Sequence, residues 1–270
     1  ADAFYKGDIA KAIISAVKET QFNPSQLTLK DLDDYEVKVR DPVCLSYRKY
    51  NICGMGSPSS GGLTVGQILG ILENFDLRSL GPTLESAHLF IEASKLAYAD
   101  RNLYMADKDF ISVPEKGLID KTYLLRRSRL ITKTSSNKVS PGYPEGSEGL
   151  LRSLQKQNEK PGTTHFVVVD KYGNAASVTS TIETGFGSRV MVGGFLLNNE
   201  LTDFSFIPQR NGQLIANRLE GGKRPRSSMA PTIVLKNKKP FLITGSPGGS
   251  RIISYVARTI LAVLEWGFDP

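Results

Sequence analysis

Near residue 133 the chain changes character, and that change limits what it can fold into. Up to Ile131, apolar residues recur at helical spacing; from Thr164 onward, β-rich runs alternate with turn residues. Between them, residues 133–162 are rich in Ser, Lys, Glu, Gly and Pro, with Leu150, Leu151 and Leu154 the few aliphatics. So long a stretch of weak structure is uncommon inside a compact domain and reads as a functional or linking segment. It has the make-up of a mobile connector with room for one short helix. Helices, connector, strands and a closing helix imply an α/β (α+β) fold with helices stacked on antiparallel sheets. No internal repeat is apparent.

Asp8 is placed to cap a helix whose Ile9, Ile13 and Val17 form one stripe, and Thr28-Leu29-Lys30-Asp31 resembles a capping box. Val43–Tyr47 and Tyr50–Cys53 read as a hairpin around Arg48-Lys49. A two-residue turn sets Tyr47 against Tyr50 and Cys44 against Cys53, at a Cα separation of roughly 4.5 Å, within disulfide range. Two reduced, half-buried thiols are the other reading, because one slipped residue separates the sulfurs. Ser57-Pro58-Ser59-Ser60-Gly61-Gly62 feeds a helix over 63–75, and further helices are expected over 83–104 and 121–131. His88, between Leu84 and Ile91, falls on an inward stripe as a packed or singly bonded histidine. Strands follow over 164–169 and 175–182, joined by a turn at Lys171-Tyr172-Gly173-Asn174. A hairpin pairs 232–235 with 241–244, and a helix runs over 250–266, entered from Gly245-Ser246-Pro247-Gly248-Gly249.

Residue inventory excludes several chemistries. Two Cys and two His among 270 residues, with His88 and His165 far from Cys44 and Cys53, make a zinc site improbable. The charge, 34 Lys+Arg against 27 Asp+Glu, is +7. Its basic residues are dispersed, and Lys236–Lys239 has no interleaved aromatics, so the charge reads as a solvated surface and no nucleic-acid partner is expected. The apolar stretch Ile252–Trp266 carries Arg258 and Glu265 and is too short to span a bilayer, so no transmembrane segment is expected. The chain opens at Ala1 without a signal-peptide core and stops after a helical pattern, so each end reads as a boundary or a processing site.

Thr163 stands out by position, following the connector and opening a strand. A threonine becomes a nucleophile when its own α-amine, titrating near roughly 7.7–8.0, serves as base. That route needs no histidine, but it requires the Gly162–Thr163 bond to be cut. The Thr163 hydroxyl can attack the Gly162 carbonyl to give an ester that water hydrolyses, and glycine leaves the approach open.

Five ordered blocks strengthen this reading: Thr163-Thr164-His165-Phe166, Val169–Asn174, Leu197–Ser205, Arg224–Met229 and Thr244–Arg251. Together with Pro58–Gly62 and Tyr5–Ala10 they resemble the γ-glutamyltranspeptidases. The resemblance runs along nearly the whole chain and is weakest in the connector. It implies an N-terminal-nucleophile hydrolase fold, an αββα sandwich of two stacked, mainly antiparallel sheets flanked by helices. Residues 1–162 would be a large-subunit-like portion and 163–270 a β-rich catalytic portion, intertwined in one domain. Thr163 would attack a γ-glutamyl amide and hold the acyl group, supported by Thr181. A four-residue loop at 171–174 would set Thr164 opposite Thr181 and Thr163 opposite Ile182, keeping Thr181 beside the nucleophile. Gly248 and Gly249, just before a helix, would offer N–H groups to the oxyanion. Glu200 and Asp203 would take the donor's α-ammonium, and Ser227 and Ser228 its α-carboxylate.

The chain departs from that pattern in two places. Glu183 stands where the best-known members carry Asn; three carboxylates around one cation repel, so one is expected protonated or paired, with Arg189 as a partner. Family members also continue upstream of Ala1 and past Pro270. Segment 206–222 corresponds to a loop able to form a lid. The implied reaction is γ-glutamyl transfer from glutathione-like donors to water, an amino acid or a peptide, without cofactor or metal. Large and small subunits cut from one precursor would form a heterodimer in the periplasm or outside the cell, which a disulfide would suit. The alternatives are an acylase of the same family acting on glutaryl or cephalosporin-type acyl groups, and a non-catalytic, unprocessed precursor or fragment.

Overall fold

The computed structural model describes residues 1–155 and 162–269. Its first elements are α1 (Asp2–Tyr5), α2 (Asp8–Lys18) and α3 (Leu29–Asp33). Gly7 rather than Asp8 is the N-cap of α2, and Asp8 pairs at the surface with Lys11. The acid still suits the positive end of the helix dipole. The buried stripe of α2 is Ala10, Ile13 and Ile14, so Ile9 lies outside it. The capping box at α3 forms as read, Thr28 and Asp31 bonding reciprocally.

Strands β1 (Val43–Tyr47) and β2 (Tyr50–Gly54) pair with Tyr47 opposite Tyr50 and Cys44 opposite Cys53. The two cysteines form a disulfide. Helix α4 (Gly61–Leu72) begins earlier and ends earlier than the apolar run suggests, and nearly every residue in it is buried. It lies between the sheet and a helix layer. A Cβ at Gly61 would sit 2.3 Å from the Met229 carbonyl oxygen, so only glycine permits this approach. After α5 (Leu77–Leu80), the long α6 (Leu84–Tyr104) crosses α4, followed by α7 (Glu115–Leu118) and α8 (Lys121–Ser128).

The stripe expected on α6 faces outward. Leu84 is 91% exposed and Ile91 52% exposed, whereas Leu89, Ala93, Leu96 and Ala97 are buried. The face was hard to read because Glu92, Asp100 and Arg101 are buried on it too. His88 is half-buried and, among the described residues, makes one bond, donating from Nε2 to the Thr132 carbonyl at 2.7 Å. Asp100 is fully buried and collects four donors: Gln67 Nε2 (2.9 Å), Tyr123 Oη (2.7 Å), the Gly142 N–H (2.8 Å) and Arg127 (3.2 Å). Burial pushes its carboxyl up, with the Arg127 guanidinium pulling the other way. Removing one partner of a buried ion pair leaves the other charge uncompensated. Asp100→Ala is therefore expected to destabilise the fold by about 3–5 kcal/mol, measured by denaturant unfolding; a loss below about 1 kcal/mol would show that Arg127 finds other partners.

Residues 133–155 contain no helix, yet they are tied to this layer along their length. Glu92 accepts from Ser135 Oγ and the Ser136 N–H, Arg127 donates to the Ser140 carbonyl, and Tyr104 donates to that of Gly142. Burial would raise the Glu92 carboxyl, but Lys95 and the serines hold it down at about 2. The end of the connector, 156–161, lies outside the described residues.

Strands β3 (Thr163–Val169) and β4 (Ala175–Thr181) form a hairpin whose register differs by one from the expected one: Val169 faces Ala175 and Thr163 faces Thr181. The turn is tighter than a four-residue loop. The Asp170 N–H bonds to the Asn174 carbonyl, and Gly173 takes φ +85°. A three-residue loop ending in a left-handed glycine is a common hairpin form. The Asp170 carboxylate fixes it by accepting from the Tyr172 and Asn174 N–H groups.

Short pairs follow, β5 (Met191–Val192) with β6 (Phe195–Leu196) and β7 (Gln209–Arg210) with β8 (Gln213–Leu214). The second pair lies within segment 206–222, whose Ile215, Ala216 and Asn217 are buried. Then β9 (Thr232–Lys236) and β10 (Lys239–Thr244) complete an antiparallel sheet ordered β1-β2-β9-β10. A 3₁₀ turn, Gly249–Arg251, leads into α9 (Ile252–Trp266), which packs beside α4. Leu45, Tyr47, Ile52, Val234 and Leu242 of the sheet meet Val65, Ile68, Val256 and Ile260 of the helices in one core. Across from it, Ser177 of β4 donates to the Thr244 carbonyl of β10. The β2–β9 pairing joins the two halves of the sequence in one sheet.

Candidate active site

Antiparallel pairing brings the start of β3 to the end of β4, so Thr163 and Thr181 meet. The Thr163 hydroxyl donates to Thr181 Oγ1 at 3.2 Å, and the Thr181 hydroxyl donates to the Gly162 carbonyl at 2.8 Å. Thr181 Oγ1 also accepts the Glu183 N–H at 2.8 Å. A hydroxyl has one proton and two lone pairs, so the Thr181 side chain is fully used. Its proton lies on the carbonyl that Thr163 would attack.

Thr163, Thr181, Glu183, Glu200, Asp203, Ser227, Ser228 and Gly249 all line one cavity, closed by Met229 and Ile252. Its volume is about 20 Å³, room for little more than one water molecule. Gly162 contributes its carbonyl through Thr181. Gly248, at φ +126°, precedes the 3₁₀ turn on which Gly249 opens toward α9. A Cβ at Gly248 would lie 3.2 Å from the Tyr255 ring.

On one side of the cavity, Glu183 is buried at φ +74° and its Oε2 accepts from Asn199 Nδ2 at 2.5 Å. Asn199, and not Arg189, is its partner among the described residues. Glu200 has its carboxyl pushed up to about 7, by burial first and the nearby Glu183 charge second. Its Oε1 is buried with no partner among the described residues. Burial and the neighbouring charge thus bring the Glu200 carboxyl into the neutral range.

On the other side, the Pro58–Gly62 block docks on the Arg224–Met229 block. The Ser60 N–H and hydroxyl donate to the Ser227 carbonyl, and the Ser227 N–H donates to that of Pro58. The Ser57–Pro58 peptide is cis. Arg101, fully buried, donates to Ser60 Oγ at 2.8 Å and to Ser228 Oγ at 2.5 Å. Ser60 and Asn199 lie in the Pro58–Gly62 and Leu197–Ser205 blocks, but neither they nor Arg101 are marked by spacing as site residues. His165, two residues beyond Thr163, bonds Thr179 Oγ1 through Nδ1 at 2.8 Å, and burial lowers its pKa, keeping it neutral.

Among the described residues, no cluster of three or more His, Cys, Asp or Glu could hold a metal ion, and no helix is long and apolar enough to cross a membrane.

Known proteins resemble this chain along its whole length. The family model described as gamma-glutamyltranspeptidase matches residues 1–270. The glutathione hydrolase proenzyme of Bacillus subtilis (strain 168) is 42% identical over 277 residues, covering 99% of this chain and 46% of that protein. The protein of the same name from Escherichia coli (strain K12) is 41% identical over 276 residues, with 99% and 46% covered. The chain thus spans about half the length of these relatives. The crystal structure of cephalosporin acylase from Bacillus halodurans superposes with a TM-score of 0.84 at 25% identity, covering 100% of this chain and 45% of that one. With the family model matching from end to end and the fold shared with a solved acylase, the chain belongs to the gamma-glutamyltranspeptidase family.

Proposed function

We propose that this chain is the catalytic portion of an enzyme that transfers γ-glutamyl groups from glutathione-like amides to water, an amino acid or a peptide. Thr163 is its nucleophile, released by self-cleavage at Gly162–Thr163. The observation that carries the reading is the relay from Thr163 Oγ1 to Thr181 Oγ1 to the Gly162 carbonyl, set in the cavity that gathers the acids and serines.

In self-cleavage, Thr163 Oγ1 adds to the Gly162 carbonyl carbon while the Thr181 O–H stabilises the oxygen. The C–N bond breaks, the hydroxyl proton passes to the departing amine, and water hydrolyses the resulting ester. The freed α-amine then takes the Thr163 proton during attack on the donor. The Gly248 and Gly249 N–H groups receive the tetrahedral oxyanion at the head of α9. Glu200 and Asp203, with Glu183, hold the donor's ammonium; Ser227 and Ser228 hold its carboxylate. Residues 1–162 and 163–270 would become large and small subunits. They stay together because β2 and β9 share a sheet across the cut. A secreted or periplasmic location suits the Cys44–Cys53 disulfide.

The acylase reading has the cephalosporin acylase fold in its favour. Three carboxylates in one cavity weigh against it, since a glutaryl group brings no cation to meet them. The γ-glutamyl anilide should be turned over at least about 10²-fold faster than the glutaryl anilide, because an unmatched buried charge costs several kcal/mol. A preference for the glutaryl compound would favour the acylase.

Glu200 makes the donor site pH-dependent. Below about 7 its carboxyl is neutral in the free protein and attracts the ammonium weakly; above that it is ionised. The donor KM should therefore fall as pH rises from 6 to 8 and then level off. Glu200→Gln should flatten that profile, and an unchanged profile in the variant would assign the titration to another group.

A further inference from the structure

Glu183 poses a problem for the relay. Its N–H must lie on Thr181 Oγ1, yet this placement puts a non-glycine residue at φ +74°, a conformation that L-residues leave unless they are held. The same residue seats the scissile glycine, since a Cβ at Gly162 would lie 2.2 Å from the Glu183 carbonyl oxygen. Whatever fixes residues 182–184 therefore fixes both the attacked carbonyl and the hydroxyl that polarises it.

Asn199 does this from the neighbouring segment. Its Oδ1 accepts from the Thr184 N–H and the Thr184 hydroxyl, each at 3.1 Å. Its Nδ2 donates to Glu183 Oε2 at 2.5 Å and to Thr202 Oγ1 at 3.2 Å. Its backbone N–H donates to the Ile182 carbonyl at 3.2 Å. The side chain thus needs a donor and an acceptor at once, which an amide supplies and a carboxylate or an alkyl group does not. We propose that Asn199 is a positioning residue for the nucleophile, its amide clamping the backbone after Thr181 so that the Thr181 hydroxyl stays aimed at the Gly162 carbonyl. It also adjoins Glu200, so the clamp links the ammonium side of the cavity to the nucleophile.

The inference rests on the self-cleavage reading, and a polarity swap tests it. Asn199→Asp removes the donor and sets a carboxylate against Glu183. Adding Glu183→Gln reverses the bond, with the Gln amide donating to the new acid. Cleavage uses no donor substrate, so the readout does not depend on donor binding by Glu183. The measurement is the rate of self-cleavage of the full chain by intact mass, with melting temperature alongside. Asn199→Asp is expected to slow cleavage by about 10²-fold, as a misplacement of about 1 Å does, and the double variant to recover at least about tenfold of that. A merely structural asparagine would instead lose melting temperature and cleavage together. Cleavage of Asn199→Asp at the unmodified rate, or a folded double variant no faster than the single one, overturns the inference. If Asn199→Asp does not fold, the double variant is compared with Glu183→Gln alone, and a folded double variant that stays uncut overturns it equally. If the unmodified chain itself stays uncut, the self-cleavage reading fails and takes this inference with it.

Discussion

Thr163→Ala should leave the chain uncut and without γ-glutamyl transfer activity while changing its stability little. The substitution removes the atom proposed both to attack the Gly162 carbonyl and later to carry the acyl group. Losing a nucleophile costs at least about 10⁴-fold in turnover, because binding and the oxyanion donors alone supply only the remainder. The fold has little stake in this hydroxyl. Thr163 is half-buried at a strand end, and among the described residues its side chain bonds to Thr181. Alanine there should cost about 1 kcal/mol or less. Thr163→Ser keeps the oxygen and should keep slow cleavage. A cleaved, active Thr163→Ala protein would place the nucleophile elsewhere.

Thr181→Val carries the second large effect. Valine matches threonine in shape and strand preference, so β3 and β4 should still pair. What disappears is the donor on the Gly162 carbonyl, the acceptor for the Thr163 hydroxyl and the partner of the Glu183 N–H. Removal of one donor aimed at a developing oxyanion costs about 10²–10³-fold, and self-cleavage should slow by about that factor. Thr181→Ser retains all three bonds and should stay within about tenfold of the unmodified rate. Should valine cleave as fast as threonine, the Thr181 hydroxyl would be only a cross-strand contact.

The site was legible in the sequence to the extent that its residues lie in compact blocks beside turns and strand ends. Residues as far apart as Thr163, Glu200 and Ser227 meet because the fold brings their blocks to the same cavity. The register at Thr163 was misjudged by one because Asp170 tightens the turn through its own side chain, a bond that loop length does not reveal. The face of α6 was misjudged for a related reason. Its inward side carries Asp100, Arg101 and Glu92, which are satisfied by partners distant in sequence and so erase the apolar period. Spacing along the chain does not mark Arg101 and Asn199, because what sets them apart is their bonds to residues distant in sequence. Glu183 could be identified as crowded, but only the folded geometry shows that Asn199 takes it and that burial raises the Glu200 carboxyl.

Thr163 is proposed to free itself by cutting the chain. The most direct measurement is the intact mass of the purified chain before and after a day at neutral pH, beside Thr163→Ala. Two fragments meeting at Gly162/Thr163, formed by the unmodified chain and absent from the variant, are the predicted result. A single uncut mass in both samples would contradict it, leaving a fold that gathers the groups of an N-terminal nucleophile site without the free amine its chemistry requires.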